Sequence, residues 1–328
     1  MIKQNINNKG VNMYCIGIDI GGMSIKAGVV DKRGNIVKKG SVVTDVEAGP
    51  KKIIDDIGKL ILSLVDLSDR DFVGIGIGCP GAVNSAAGTI DCAYNLKWRN
   101  VALAEELTRI VNRPIKVGND ANVAALGESM YGAGRMYTDT VVLTLGTGVG
   151  GGVVLGGKLY DGNEGKGGEL GHMVIQVDGE PCTCGRAGCL EAYCSATALM
   201  RDTRRAMEKD PDSLMWKFSP TLDEVSGLTA FECCKQGDKS AKAVVDRYIK
   251  YLGEGMLNFA NIFRPQAIIL GGGVCGQGDY LVDKLKDYCV KRDYGFAGMP
   301  RFDILIAQLG NDAGVVGAAG LIYELLGF

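Results

Sequence analysis

The sequence has very little histidine, little proline and almost no net charge. It contains one histidine and eight prolines in 328 residues. Its 36 lysines and arginines nearly balance 38 aspartates and glutamates, which gives a formal net charge of −2. Nucleic-acid binders present a basic face that displaces counterions from phosphates, so this balance argues against a nucleic-acid partner.

Long apolar runs are also missing. No run approaches the roughly 18 residues that span a bilayer, so we expect no membrane partner. The first segment, Met1–Met13, is polar and lacks the apolar centre of a secretory signal. We therefore expect a cytoplasmic protein, in which the eleven cysteines are mostly thiols.

Glycine, in contrast, is abundant. The chain has 49 glycines, about twice the usual share. They show no three-residue period, which excludes a collagen-like chain. A length of 328 residues predicts about two domains.

Two parts of the chain repeat one pattern of predicted elements. In the first, the apolar strand Tyr14–Ile20 leads through Gly21-Gly22 into a strand over Ser24–Val30. In the second, Thr140–Leu145 leads through a glycine turn into the strand Gly152–Leu155. The repeat indicates two α/β domains of similar plan with a cleft between them.

Periodicity predicts the main elements outside the repeat. Apolar spacing indicates helices over Val101–Val111, Ala121–Tyr131 and Ala313–Leu326, the last with small residues on one side. Phe72–Gly78 is predicted as a buried strand. Gly81 is followed by Ala82-Val83-Asn84, and a loop is expected there.

Three predicted strands end in glycine-rich turns, at Asp19–Gly22, Leu145–Gly152 and Leu270–Gly273. Glycine lets backbone N–H groups approach an anion without a Cβ in the way. Together the turns are expected to surround one nucleotide, although each alone also fits a plain hairpin turn. The G-x-G-x-x-G matches at Gly76–Gly81 and Gly146–Gly151 are not followed by predicted helices, so they do not indicate a dinucleotide fold.

Two charged residues accompany the first glycine turn. Asp19, at the end of its strand, is a candidate to hold Mg²⁺ against phosphates. Lys26 is a candidate to reach the same phosphates as a point charge. The alternatives are an ordinary turn aspartate and a solvated lysine.

A compact set of metal-binding residue types contains the lone histidine. His172, Cys182, Cys184 and Cys189 form the pattern H-x9-C-x-C-x4-C. One imidazole and three thiolates make a closed tetrahedral Zn²⁺ site without an open position, so the predicted zinc is structural. The alternative is three incidental thiols beside an unrelated histidine.

Two glutamates flank this predicted zinc loop. Glu169 precedes His172 by three residues, and Glu191 follows Cys189 by two. Carboxylates fixed by a metal-braced loop are good acceptors for sugar hydroxyls. The alternative for either glutamate is an ordinary surface charge.

Asn119-Asp120 stands where a predicted strand meets a predicted helix. Phosphoryl transfer needs an acceptor for the proton of the nucleophile. Since the single histidine is assigned to the metal, a carboxylate must serve, and Asp120 is the candidate general base. The alternative is that Asp120 only caps the helix.

Seven segments of the sequence stand out together. They are DIGG at Asp19–Gly22, GCPGAV at Gly78–Val83, VGNDAN at Val117–Asn122, LGTGVGGG at Leu145–Gly152, GELGH at Gly168–His172, CTCGRAGCLE at Cys182–Glu191 and LGGGV at Leu270–Val274. Together these segments resemble the ROK family, which contains bacterial sugar kinases and related repressors. The glycine turns are shared with the wider group of actin-like ATPases, whereas the His/Cys pattern is highly specific. The resemblance runs from about Tyr14 to the C-terminus.

The resemblance implies a fold and a set of site residues. The fold is α/β, with two actin-like (ribonuclease H-like) domains that close on ATP and a sugar. The implied boundaries are residues 1–120, completed by the C-terminal helix 313–328, and residues 121–312, which carry the zinc loop. Asp120 matches the catalytic base. The sugar-contacting positions are Gly81, Asn95, Asn119, Asp120, Glu169, His172 and Glu191, and the nucleotide positions are Asp19, Gly21, Gly22, Ser24, Lys26, Gly146, Thr147, Gly148, Gly271 and Gly272.

The same resemblance implies an activity. The segment Leu190–Leu199 looks most like the glucokinases of the family, so we expect ATP-dependent phosphorylation of D-glucose at the 6-hydroxyl, with ATP, Mg²⁺ and structural Zn²⁺. The alternatives are an N-acetylmannosamine, N-acetylglucosamine or fructose kinase, and a sugar-sensing transcription regulator. A homodimer or higher homo-oligomer is expected from the family.

One position departs from the family pattern. The first phosphate motif normally reads D-x-G-G-T, and here Met23 takes the place of the threonine. Methionine donates no hydroxyl hydrogen bond to phosphate. Since the backbone N–H groups remain, we expect weakened rather than abolished activity.

Overall fold

The computed structural model describes residues 13–295 and 301–327, which divide into two compact units. Unit 1 comprises the described residues up to Arg135, together with residues 157–168 and those from Asn311 onward. Unit 2 comprises Met136–Gly156 and Glu169–Gly310. The strands and α-helices are, in chain order, β1 (Tyr14–Ile20), β2 (Ser24–Asp31), β3 (Ile36–Val43), α1 (Gly49–Leu64), β4 (Phe72–Cys79), β5 (Ala82–Asn84), β6 (Thr89–Ala93), β7 (Trp98–Val101), α2 (Leu103–Val111), β8 (Ile115–Asn119), α3 (Asp120–Met130), β9 (Thr140–Leu145), β10 (Val149–Leu155), β11 (Lys158–Tyr160), α4 (Glu191–Cys194), α5 (Ala196–Lys209), α6 (Met215–Phe218), α7 (Thr229–Lys235), α8 (Lys239–Phe263), β12 (Ala267–Gly271), α9 (Asp279–Val290), β13 (Asp303–Ile306) and α10 (Ala313–Leu325).

The main sheet of unit 1 has the strand order β3-β2-β1-β4-β8. The first three strands form an antiparallel meander, and β4 and β8 run parallel to β1. The central strands are buried on both faces, which explains their continuous apolar runs. Helix α1 covers the sheet with a buried stripe that includes Ile53, Ile57 and Ile61.

A small sheet follows β4, in the order β5-β6-β7. The loop expected after Gly81, with Ala82-Val83-Asn84, is therefore wrong, because three short antiparallel strands, β5, β6 and β7, follow there. The strands are short and only half apolar, so their alternation is too brief to identify from sequence. Trp98 is fully buried there and anchors this sheet to the core of unit 1.

Unit 2 repeats the plan of unit 1. Strand β9 pairs antiparallel with β10 across a glycine turn, and β12 lies parallel to both β9 and β13. The predicted repeat of strand, glycine turn and strand is confirmed. The long helix α8 begins at Lys239, and the side chain of the preceding residue, Asp238, accepts a hydrogen bond from the Ala241 N–H as an N-cap.

Glycines allow α10 to pack directly onto the backbone of unit 1. A Cβ on Gly17 of β1 would stand 1.8 Å from the Val315 carbonyl oxygen, and one on Gly76 of β4 would stand 1.6 Å from that of Ala318. On the other side, a Cβ on Gly317 would stand 1.8 Å from the Val123 carbonyl oxygen of α3. Helix α10 is thus held between the sheet and α3 by contacts that exclude any side chain.

This packing corrects the expected domain boundary. The sequence placed residues 121–135 and 157–168 in the second domain, whereas the structure places them in unit 1. Helix α3 belongs there because it packs closely against α10 at Gly127 and Gly317, a tertiary contact that no local sequence pattern indicates. The C-terminal residues from Asn311 also lie in unit 1.

Gly76→Ala is expected to lower the free energy of unfolding by about 3 kcal/mol. The new methyl group would overlap the Ala318 carbonyl oxygen, and neither backbone can move without displacing α10. Urea unfolding of the variant checks this. The control is Gly227→Ala, where a Cβ meets no atom within 4 Å, and equal midpoints for the two variants would contradict the prediction.

Within residues 13–295 and 301–327, none of the helices combines the length and the apolar character that crossing a bilayer requires.

Candidate functional site

The carboxyl ends of three parallel strands lie side by side in unit 1. Asp19 of β1 is in register with Gly78 of β4, and Gly78 with Gly118 of β8. Asp120 follows directly after β8. The sheet therefore places Asp19 and Asp120 at the same edge, where its parallel strands end. Ligands of open α/β sheets bind at such strand ends, which agrees with the ligand site predicted from the glycine turns.

Asn119, rather than Asp120, caps helix α3. Its Oδ1 accepts hydrogen bonds from the N–H groups of Ala121 at 3.0 Å and Asn122 at 3.2 Å. Its Nδ2 donates to the Gly81 carbonyl oxygen at 3.2 Å. The alternative role of Asp120 as the N-cap is therefore wrong. Asp120 Oδ1 also accepts from the Ala121 N–H at 2.8 Å, which fixes its side chain.

Both aspartates at this edge have a raised pKa, so each ionises less readily than an exposed aspartate. Burial raises the pKa of Asp120 above its ordinary value of 3.8. Burial also raises the pKa of Asp19, the nearby charge of Asp120 raises it further, and Lys26 opposes both effects. Lys26 faces Asp19 as its cross-strand partner on β2. Two desolvated carboxylates that repel one another favour a proton or a cation between them.

The other predicted sugar positions of unit 1 lie close to this edge. Gly81 has φ +95°, and a Cβ there would stand 2.2 Å from the Cys92 carbonyl oxygen, so only glycine fits the turn after β4. Asn95 is exposed, and its Nδ2 lies 4.0 Å from the place of a Cβ on Gly22. Gly81, Asn95 and Asn119 thus gather near the first glycine turn.

The first glycine turn is held in place by a hydrogen bond from Thr44, a residue that the sequence analysis missed. The Gly21 N–H donates to the Ser24 carbonyl oxygen at 3.0 Å, which closes the turn. The buried hydroxyl of Thr44 donates to the Gly21 carbonyl oxygen at 2.7 Å. Thr44 directly follows β3 and lies 23 residues from Gly21 in the chain, so nothing in its local sequence could reveal this contact. Met23 is 87% exposed at the tip of the turn.

The second and third glycine turns adjoin in unit 2. Gly271 is in parallel register with Thr144, just before the second turn. Gly272 has φ +90°, and a Cβ there would stand 2.4 Å from the Leu145 carbonyl oxygen. The second turn is closed by a 3.0 Å hydrogen bond from the Gly146 N–H to the Gly148 carbonyl oxygen. A further bond joins the Thr197 hydroxyl to the Thr147 carbonyl oxygen at 2.8 Å.

The structure brings the four predicted metal ligands together. The donor atoms of His172, Cys182, Cys184 and Cys189 all lie within 4.8 Å of one another. His172 Nδ1 and Cys182 Sγ are 3.5 Å apart, and the Sγ atoms of Cys184 and Cys189 are 3.7 Å apart. Ligands at about 2.0–2.3 Å from a tetrahedral Zn²⁺ stand roughly 3.3–3.8 Å from one another. The cluster has the size and the donor chemistry that zinc requires, and a disulfide, at about 2.05 Å, is excluded for the second pair.

The loop that carries the cysteines has a defined backbone. The Cys182 N–H donates to the Arg186 carbonyl oxygen at 2.8 Å, and the Gly188 N–H donates to the Glu180 carbonyl oxygen at 2.8 Å. Gly188 has φ +80°, and a Cβ there would stand 1.7 Å from the Gln176 carbonyl oxygen. The polar, glycine-rich character of the segment therefore serves a tight fold around the cluster.

The two flanking glutamates have different surroundings. Glu169 is exposed and precedes the short helical turn that carries His172. Glu191 is partly buried, and its Oε2 accepts a hydrogen bond from the Val149 N–H at 3.0 Å. Its Oε1 accepts from the Thr183 hydroxyl at 3.1 Å. Sequence analysis did not find the Thr183 contact, because no chemical pattern marks a threonine between two cysteines.

The predicted site residues are thus assembled in two groups, one in each unit. The group in unit 2 comprises both glutamates, the His/Cys cluster and two glycine turns, and the group in unit 1 comprises the strand-end residues. Their participation in one common site stays a prediction.

The two sheets of like topology, with glycine turns at their strand ends, define an actin-like ATPase fold. Within that class, the chain belongs to the ROK family, whose family model matches residues 15–324. The predicted fold class and family are confirmed.

Individual relatives cover nearly the whole chain. A glucokinase of Thermotoga maritima is 38% identical over 316 residues, or 95% of this chain and 98% of that enzyme. The structure of a ROK glucokinase from Streptomyces griseus in complex with glucose and AMPPNP has 35% identity and a TM-score of 0.75, and it covers 95% of this chain and 99% of that chain. A xylose repressor of Caldicellulosiruptor bescii is 30% identical over 334 residues, or 98% of this chain and 81% of the repressor.

Proposed function

We propose that the protein is an ATP-dependent glucokinase that transfers the γ-phosphoryl group of ATP to the 6-hydroxyl of D-glucose. The observation that carries the proposal is Asp120, a partly buried carboxylate directly after a parallel strand, where Asn119 rather than Asp120 caps the following helix. The similarity to glucokinases over at least 94% of this chain supports the same activity.

The proposed reaction assigns one task to each group. Asp120 takes the proton from the 6-hydroxyl of the sugar while the oxygen of that hydroxyl bonds to the γ-phosphorus of ATP. The bond from the γ-phosphorus to the oxygen that bridges it to the β-phosphate breaks, and ADP is released. Gly81, Asn95, Asn119, Glu169, His172 and Glu191 hold the sugar hydroxyls. Asp19, Gly21, Gly22, Ser24, Lys26, Gly146, Thr147, Gly148, Gly271 and Gly272 hold the nucleotide.

Two metal ions complete the proposal. Mg²⁺ neutralises phosphate charge when bound, and Asp19 would hold it, in keeping with the carboxylate repulsion at that edge. Zn²⁺ would be held by His172, Cys182, Cys184 and Cys189. With four protein ligands it has no open position, so its contribution is to brace the loop beside Glu191.

A coupled ADP-release assay over a small sugar panel tests the proposal. We expect the highest kcat/KM with D-glucose, and lower values with fructose, N-acetylmannosamine and N-acetylglucosamine. A preference for an acetamido sugar would instead support the alternative kinase activity. No sugar-dependent ADP release from any member of the panel would contradict the proposed function.

The pH dependence of the activity should show the shifted carboxyl pKa. The base must be ionised to accept a proton, and burial raises the pKa of Asp120. The value of kcat/KM is therefore expected to fall as the pH falls through a pKa above 3.8, the ordinary value for aspartate. Initial rates between pH 4 and 8, each checked by recovery at pH 7, measure this limb. A flat profile down to pH 4 would contradict it.

Similarity to a xylose repressor keeps a second candidate open. A sugar-responsive regulator would bind DNA, which the net charge of −2 does not favour. A DNA mobility-shift assay distinguishes the two, since sequence-specific binding would support the repressor function.

The remaining expectations stay predictions. They are a homo-oligomer, a cytoplasmic location and a weaker hold on ATP because Met23 replaces threonine.

A further inference from the structure

One carboxylate in unit 2 contacts both the loop of the His/Cys cluster and the second glycine turn. Glu191 Oε2 accepts the Val149 N–H at 3.0 Å, and Val149 directly follows Gly148 in that turn. Glu191 Oε1 accepts the Thr183 hydroxyl at 3.1 Å and lies 3.6 Å from Cys182 Sγ. The two carboxylate oxygens of Glu191 thus accept hydrogen bonds from two different segments, Oε2 from the second glycine turn and Oε1 from the loop of the His/Cys cluster.

The glycine turn is shaped for this approach. A Cβ on Gly148 would stand 2.4 Å from Glu191 Oε2, so a side chain at this position would displace the carboxylate. Gly148 allows the backbone of the turn and the carboxylate to lie in contact. Any shift of Glu191 therefore changes the orientation of the Val149 N–H and of the turn that carries it.

The loop of the His/Cys cluster positions Thr183, the second hydrogen-bond partner of Glu191. Thr183 lies between Cys182 and Cys184, which are both members of the cluster. The loop backbone there is held by the Cys182 N–H on Arg186 and by the Gly185 N–H on the Cys182 carbonyl oxygen. With both neighbours in the cluster, the position of the Thr183 hydroxyl depends on the arrangement of the cluster.

We propose that Thr183 is a positioning residue that holds Glu191 against the Val149 N–H, so that this carboxylate couples the zinc loop and the sugar to the nucleotide turn. The inference rests on the proposed function, in which Glu191 receives a sugar hydroxyl and the turn receives ATP. A carboxylate has about four acceptor sites, enough for Thr183, Val149 and a sugar hydroxyl together. Two ligands whose sites share one side chain change each other's affinity reciprocally.

The test compares Thr183→Val, which keeps the shape and removes the donor, with Thr183→Ser, which keeps the donor. Thr183 is exposed, so neither change disturbs the core. The matched control is Thr221→Val, at an exposed threonine whose side chain caps no helix. Each protein is prepared with zinc, and its zinc content is measured first. AMPPNP affinity is then titrated by calorimetry with and without glucose, and kcat and KM are measured.

Thr183→Val is expected to weaken AMPPNP binding about 5-fold in the absence of sugar. It should also reduce the factor by which glucose increases the affinity for AMPPNP. Such coupling between two ligands is of the order of 5–150-fold in typical proteins. The KM for glucose should rise more than kcat falls. Thr183→Ser and Thr221→Val should match the wild type, and zinc content should stay at one ion per chain in all four proteins.

Three results would overturn the inference. They are unchanged AMPPNP affinity in Thr183→Val, failure of Thr183→Ser to restore that affinity, and loss of zinc from Thr183→Val, which would show a purely structural role. If wild-type protein releases no ADP with any sugar, the proposed function fails. The sugar-free AMPPNP titration still decides whether Thr183 acts on the nucleotide turn.

Discussion

Asp120→Asn is expected to lower kcat by about 10²- to 10⁴-fold, the usual contribution of a general base. Asparagine has the same shape and still accepts the Ala121 N–H, so α3 stays in place. It has no lone pair basic enough to take the proton of the sugar hydroxyl. Coupled ADP-release rates at saturating glucose and ATP measure the effect.

Binding measurements separate this loss from misfolding. Glucose and AMPPNP affinities of Asp120→Asn should stay within a few-fold of the wild type. The matched control is Asp55→Asn, on the exposed face of α1, which should leave kcat unchanged. Retention of more than a third of wild-type kcat by Asp120→Asn would refute its assignment as the base.

Cys184→Ser is expected to remove the zinc, because a serine hydroxyl is a poor substitute for a thiolate. Metal binding to such a cluster contributes directly to folding, so the melting temperature of unit 2 should fall and the KM for glucose should rise at least tenfold. Elemental analysis of the purified protein should give about one zinc per chain for the wild type and close to none for the variant.

A cysteine outside the cluster provides the comparison. Cys92 lies on β6 in unit 1 and is partly exposed, so Cys92→Ser should retain both zinc and activity. Wild-type protein that contains no zinc after purification in metal-supplemented medium would eliminate the structural-metal assignment. So would a Cys184→Ser variant that keeps a full equivalent of zinc.

Features based on local chemistry were predictable from sequence. The glycine turns, the H-x9-C-x-C-x4-C pattern and the strand-end position of Asp120 each combine a residue type with a spacing that the structure reproduces. The parallel register of β1, β4 and β8 brings Asp19 and Asp120 to the same edge of the sheet, a pairing that the sequence alone did not predict.

Features that depend on tertiary contact were not predictable. The sequence placed α3 in the second domain because it follows a complete strand–turn pattern, whereas its contact with α10 assigns it to unit 1. The small sheet β5-β6-β7 was missed because three short strands show no distinct period. Thr44 hydrogen-bonds to Gly21, which is distant in the chain, and Thr183 to Glu191 at the start of α4, so only coordinates identify these two contacts.

The position of α10 at the end of the chain has a consequence for how the protein folds during translation. Ala313 follows Cys79, the end of β4, by 234 residues, which at about 5–20 residues per second takes roughly 10–50 s on the ribosome. Throughout that interval Gly17 and Gly76 lie on a strand face that has no helix to cover it. The strands and helices of unit 2 are all translated before α10. We therefore expect unit 2 to reach its native form first, while the nascent N-terminal sheet remains the part of the chain that most needs a chaperone.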